Sequence, residues 1–297
     1  MTADKGRPQF GIIFPSHEIG NDPSMFVRWV REAETAGFDY IAIFDHVIGV
    51  DTTHRPGWSG PYALDDTFHE PFMMLSYFAA HCSIELMTSV IILPQRQAVL
   101  VAKQASELDL LTGGRFVLGV GTGWNELEYR ALNVDFGARG RRFDEQLEVV
   151  RMLWTQPVAN FRGEFHDLDD VGLRPIPLRK PIPLWLGGDP CGPVLRRVAR
   201  TGDGWITRHR PEVVLPVWQQ TLELADRSGR DPESIGLQAM IQWGRRPAGI
   251  DDDKREVERW LSGGARRISF SGLRAGRTPE QHIDYVAERA QVISAWK

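Results

Sequence analysis

Eight short apolar runs, each separated from the next by a longer segment of helical period, most constrain what this chain can fold into. The runs fall at residues 10–14, 40–44, 85–93, 116–120, 183–186, 204–206, 236–242 and 267–270. Most are continuously apolar, as parallel strands covered on both faces must be. Between them the helix candidates have recognisable ends: residues 24–36 stop at Gly37, and residues 98–111 stop at Gly113-Gly114. Further helical stretches span 71–80, 144–154, 193–200, 211–228, 252–261 and 279–295. In the last of these Ile283, Val286, Ala287 and Ala290 share one face, which needs a core to pack against. Eight strand-helix alternations in 297 residues predict one α/β domain over 1–297, a (β/α)8 TIM barrel with insertions after strand two and before strand five. A doubly wound open sheet is the competing architecture. The two long connections, 47–70 and 157–183, are long enough to be functional loops.

Charge and cysteine usage remove several classes of function. A net charge of -4, with no basic cluster beyond pairs such as Arg141-Arg142, offers nothing to nucleic acid or an anionic membrane. No 18-residue apolar stretch occurs, and the first ten residues lack a signal-peptide pattern. Cys82 and Cys191 stand far apart, with no Cys-x-x-Cys spacing and no nearby histidine cluster, so neither a disulfide framework nor a metal site is expected. The expectation is a reduced cytoplasmic protein whose partner is a small molecule.

The stretch Phe116-Val-Leu-Gly-Val-Gly-Thr-Gly-Trp-Asn125 carries the first chemical hint. Glycine at positions 119, 121 and 123 removes side chains at every second position, so a ligand or another backbone can come close. A tight turn explains the glycines equally well. The spacing matches neither of the familiar glycine-rich phosphate loops.

Several strand ends combine into a recognisable set. They are Phe44-Asp45-His46 after strand two, Thr88-Ser89-Val90 in strand three, Leu118-Gly-Val-Gly-Thr-Gly123 after strand four, and Leu186-Gly187-Gly188 after strand five. With Gly140-Arg-Arg-Phe-Asp-Glu145 and Trp154, this chain resembles the bacterial luciferase-like family of flavin- and deazaflavin-dependent oxidoreductases. The resemblance covers roughly residues 10 to 210. It implies a ring cofactor at the C-terminal mouth of the barrel, with the protein supplying position, polarity and water exclusion. It also implies that His46 and Asp45 are catalytic, and that Asp45, Ser89, Val90, Gly121, Thr122, Gly123, Gly187 and Gly188 line the cofactor. Ser89-Val90 matches a position where the family often has a non-prolyl cis peptide. Amide groups before Pro193 would receive a phosphate, with Asp189 an unexpected neighbour.

The implied cofactor is coenzyme F420, passing hydride to or from an apolar or planar organic substrate; the alternative is FMN in a two-component monooxygenase using oxygen. A cofactor-free binding protein on the same scaffold is the third possibility. Trp124 stands where the family's sugar-phosphate dehydrogenases place an acid, with Glu126 the nearest replacement. His17, Trp58, Tyr62, His69 and Trp124 are the substrate-lining candidates, and their aromatic character favours a planar substrate. A homodimer, and a reductase delivering reduced cofactor, are the implied protein partners.

Overall fold

Each apolar run becomes a strand of one closed sheet, in a computed structural model that describes residues 6–242 and 249–297. Residues 1–5 of the polar N-terminal segment lie outside the described residues. The chain runs β1 (Gln9–Ile13), α1 (Pro23–Thr35), β2 (Tyr40–Ile43), α2 (Pro71–Ala79), β3 (Glu85–Thr88), β4 (Ile91–Ile92), α3 (Ala98–Leu111) and β5 (Phe116–Gly121). It continues through α4 (Glu126–Ala131), α5 (Arg139–Thr155), β6 (Ala159–Arg162), β7 (Asp167–Val171), β8 (Leu184–Gly187), α6 (Gly192–Thr201) and β9 (Gly204–Thr207). The last elements are α7 (Pro211–Arg227), β10 (Gly236–Gln242), α8 (Ile250–Ser262), β11 (Arg267–Ser271) and α9 (Pro279–Ile293).

Pairing is parallel all the way round the ring, β1-β2-β3-β5-β8-β9-β10-β11 and back to β1, so the eight-stranded TIM barrel is closed. β4 continues β3 after a one-residue bulge: Met87 pairs with Val117, yet Ile91 pairs with Val120. The Ser89–Val90 peptide inside that bulge is cis.

The helices start where sequence chemistry tells them to. Asp22 accepts the Ser24 amide at 2.9 Å to cap α1, Glu70 accepts the Met73 amide at 2.7 Å to cap α2, and Thr278 and Gln281 cap α9 reciprocally. Among the described residues no helix is long and apolar enough to cross a membrane.

The barrel interior is plugged at its N-terminal end. Arg267, the first residue of β11, is 5% exposed and donates to Glu85 at 2.6 Å, Gln9 at 2.8 Å and Gln238 at 3.2 Å. Its guanidinium stacks 4.0 Å from the Tyr40 ring centre and 5.2 Å from that of Trp185. Above it Ile13, Met87, Val117, Ile206 and Met240 fill the axis. Among the described residues, the plug leaves the barrel axis to be reached from the opposite, C-terminal mouth.

The two long connections start at opposite ends of the barrel. The 47–70 loop leaves β2 at the C-terminal mouth. The 157–183 connection begins at the far end and folds β6 and β7 into an antiparallel hairpin where the sequence pattern predicts only a long loop. The hairpin lies on α5: the Glu164 and Phe165 amides donate to Glu145 at 2.7 and 3.0 Å, and His166 sits 3.1 Å from the same carboxylate.

Candidate active site

The glycine run after β5 serves its neighbouring strand. A Cβ at Gly119 would collide with the Thr88 carbonyl, one at Gly121 would sit 2.7 Å from Val90 Cγ2, and one at Gly123 would sit 2.7 Å from Ile92 Cγ2. Thr88, Val90 and Ile92 thus occupy the space left by Gly119, Gly121 and Gly123. Gly187 does the same from the other side, where its Cβ would lie 2.7 Å from Val90 Cγ1. Val90 is seated between Gly121 and Gly187, and the close approach anticipated at these glycines is made by protein. Gly123 also needs its glycine for backbone reasons, at φ +65°. Thr122 accepts the Tyr129 hydroxyl on its carbonyl at 2.7 Å. Gly188 packs against Val194 of α6 and accepts Trp205 Nε1 at 3.0 Å. Ahead of α6, the Cys191 amide donates to the Asp189 carbonyl at 2.7 Å, so this N–H is already committed. The Asp189 carboxylate lies 2.7 Å from His209 Nε2, a pairing the sequence did not suggest.

Asp45 and His46 leave β2 in different directions. Asp45 is buried; Oδ1 accepts Arg96 Nη2 at 2.9 Å and Oδ2 accepts the Ile92 amide at 3.1 Å, which ties β2 to the chain beyond the bulge. Burial raises the Asp45 pKa above the ordinary carboxylate range, against the pull of Arg96, whose other side holds Glu70 at 3.2 Å.

His46 Nδ1 lies 3.2 Å from Oε2 and 3.3 Å from Oε1 of Glu128, a carboxylate whose side chain is 1% exposed. Glu128 also accepts the Val47 amide at 2.6 Å and Gln95 Nε2 at 3.4 Å. Burial opposes its ionisation, but His46 and these donors win, and its pKa falls below the usual value. An ionised Glu128 can only accept, so Nδ1 directs its proton at the carboxylate and Nε2 is the ring nitrogen left for a ligand. Glu126, the nearest acid after Trp124 in the sequence, is exposed. Asn125 caps α4 by accepting the Leu127 amide at 3.1 Å, and that start turns Glu126 outward and Glu128 inward.

Around His46 the rings of Tyr62, Phe68 and Trp124 stand at 4.9, 4.8 and 5.6 Å, centre to centre. Trp58 adds to this cage through Trp124 at 5.7 Å, and His17 through Tyr62 at 5.6 Å and Phe68 at 5.4 Å. Four of the five substrate-lining candidates therefore converge. His69 does not: it packs 5.0 Å from Phe26 and 6.3 Å from Phe14, and Phe68, its neighbour of opposite parity, takes the inner position. Arg274 bridges the rim, donating to the Pro61 carbonyl at 2.7 Å with its guanidinium 5.6 Å from the Tyr62 ring centre.

Among the described residues at the mouth, Ser16 Oγ, Ser89 Oγ, Gln95 Oε1 and both ring nitrogens of His17 are buried without a hydrogen-bond partner. Buried polar atoms are ordinarily satisfied, so their clustering beside an aromatic cage suits a flat ligand edged with donors and acceptors.

A closed barrel with its polar and aromatic groups gathered at the C-terminal mouth defines a (β/α)8 enzyme. Residues 9–294 match the luciferase-like monooxygenase family model, and the chain belongs to that family. An uncharacterised protein of Mycobacterium tuberculosis strain H37Rv is 34% identical over 200 residues, 65% of this chain and 68% of that protein. Two solved structures share the fold. The monooxygenase RslO1 from Streptomyces bottropensis matches with TM-score 0.78 at 17% identity, covering 97% of this chain and 99% of that one. The coenzyme F420-dependent tetrahydromethanopterin reductase from Methanopyrus kandleri matches with TM-score 0.76 at 15% identity, covering 98% and 100%.

Proposed function

We propose that the protein is an F420-dependent oxidoreductase that exchanges hydride with an apolar or planar organic substrate at the barrel mouth. The carrying observation is the His46–Glu128 pair inside an aromatic cage. Hydride exchange at a carbinol or carbonyl carbon needs a partner for the oxygen's proton, and a carboxylate-oriented imidazole is suited to that task. Glu128 holds Nδ1, so Nε2 is the atom that takes a proton from an alcohol or, in the reverse direction, returns it. The deazaflavin, when bound, supplies the two-electron partner. Ser89, Val90, Gly121, Thr122, Gly123, Gly187 and Gly188 would hold it, with Asp45 bracing the wall behind through Arg96 and the Ile92 amide. The Tyr62, Phe68 and Trp124 rings would exclude water and orient the substrate.

The monooxygenase reading, with reduced FMN, oxygen and a partner reductase, is favoured by the family's own description and by the RslO1 likeness. The two separate in one assay. A panel of secondary alcohols and ketones is incubated anaerobically with F420 in the matching redox state, and in parallel aerobically with reduced FMN. The proposal expects turnover in the first arm, reduced at least tenfold in His46→Ala; oxygen-dependent product only in the second arm would establish the alternative.

A further inference from the structure

Two histidines share one pair of rings at the mouth, yet their hydrogen-bonding states are opposite. Tyr62 lies 4.9 Å from His46 and 5.6 Å from His17, and Phe68 lies 4.8 Å and 5.4 Å from them. His46 is anchored on Glu128, just as His166 is on Glu145, His209 on Asp189 and His282 on Glu18. His17 has neither nitrogen anchored, and both are sealed from solvent.

The acids that could have taken it are engaged elsewhere. Asp66 Oδ2 accepts the Ala63 amide at 2.7 Å, while Glu18 holds His282 at 2.8 Å and the Arg274 amide at 2.9 Å. Burial outweighs the pull of Asp66 and Glu18 and keeps the His17 pKa below the ordinary imidazole range, so the ring is neutral, with one N–H donor and one lone pair. The adjacent Ser16 hydroxyl is buried and likewise unpartnered.

We infer that His17 is the specificity-determining residue of this mouth: it hydrogen-bonds a second, non-reacting neutral polar group on a planar substrate whose reacting carbon faces His46. The inference rests on reading the mouth as the substrate site. The class that fits is an aromatic or conjugated carbonyl or carbinol compound bearing a hydroxyl, ketone or amide some distance from the reacting carbon. A neutral ring offers an anionic group no charge, so an uncharged substituent is the better match. Because a hydrogen bond to a spectator group is made in ground state and transition state alike, its loss raises KM and leaves kcat unchanged.

Acetophenone and its three ring-hydroxylated isomers are the probes, titrated into cofactor-free protein and followed by quenching of tryptophan fluorescence and by calorimetry. One isomer is expected to bind the wild type about tenfold more tightly than acetophenone. His17→Phe is expected to erase that preference while acetophenone binding is kept, and His17→Gln, which retains a donor and an acceptor, to keep part of it. No binding, equal binding of all four probes, or a preference that persists in His17→Phe would overturn the inference. Titrating F420 and FMN into the same proteins separates this outcome from failure of the proposed reaction, since isomer preference is read without any cofactor.

Discussion

Glu128 decides what His46 can do. Replacing His46 with Ala removes the group proposed to move the proton and is expected to lower turnover by about 10²-fold, with the circular dichroism spectrum unchanged. Glu128→Gln keeps the shape but loses the charge that fixes Nδ1–H, and a loss of about tenfold is expected. The same variant carries a pH signature. The folded pKa of Glu128 lies below its unfolded value, so its contribution to stability is present above the ordinary carboxylate pKa and is lost as pH falls through the folded one. Wild type should therefore exceed Glu128→Gln in urea midpoint at neutral pH, and the two should converge as pH falls below the ordinary carboxylate range. His46, Tyr62, Trp58, Trp124 and His17 were legible in the sequence because each sits at a strand end or in a loop that the alternation places at the mouth. Glu128 was not, because its contact with His46 spans 82 residues and depends on the turn at which a short helix begins.

At the scale of the element, the unit of interest is the seam between β3–β4 and β5. Sequence periodicity located both strands and the glycines, and left close approach by a ligand or backbone level with a tight turn. It could not choose between them, because strand alternation records which positions lack a side chain and leaves the occupant of the space open. The occupant is the bulged partner strand: a side chain at Gly121 meets Val90 before it meets any ligand. Gly121→Ala is expected to cost about 1–3 kcal/mol of stability by overpacking. Val90→Ala should recover part of that loss in the double variant, because the two methyl-bearing groups compete for one space. A double-mutant cycle from chemical denaturation checks this, and strictly additive losses would contradict it. The β6–β7 hairpin was missed for a simpler reason. Its strands, Ala159–Arg162 and Asp167–Val171, are mostly exposed and polar, and leave no apolar run to read.

For the whole molecule, the barrel separates stability at one end from chemistry at the other. Glu85→Ala strands the buried Arg267 guanidinium at the plugged end and is expected to cost about 3 kcal/mol. Ligand affinity at the mouth should not change, and a shift of more than about threefold in cofactor binding, roughly 0.6 kcal/mol, would show that the two ends are coupled. The closed architecture was readable in outline because eight alternations leave few other ways to cover every strand face. Cofactor choice was not readable to the same degree, since the groups that line the mouth suit a flavin or a deazaflavin ring. An equilibrium titration of the purified protein with F420 and, separately, with FMN, each followed by the ligand's own absorbance and fluorescence, tests the central claim most directly. Saturable one-to-one binding of F420, weakened by disturbing the Gly121–Val90–Gly187 wall, is the result the proposed function predicts. Binding of FMN alone, with none of F420, would contradict it.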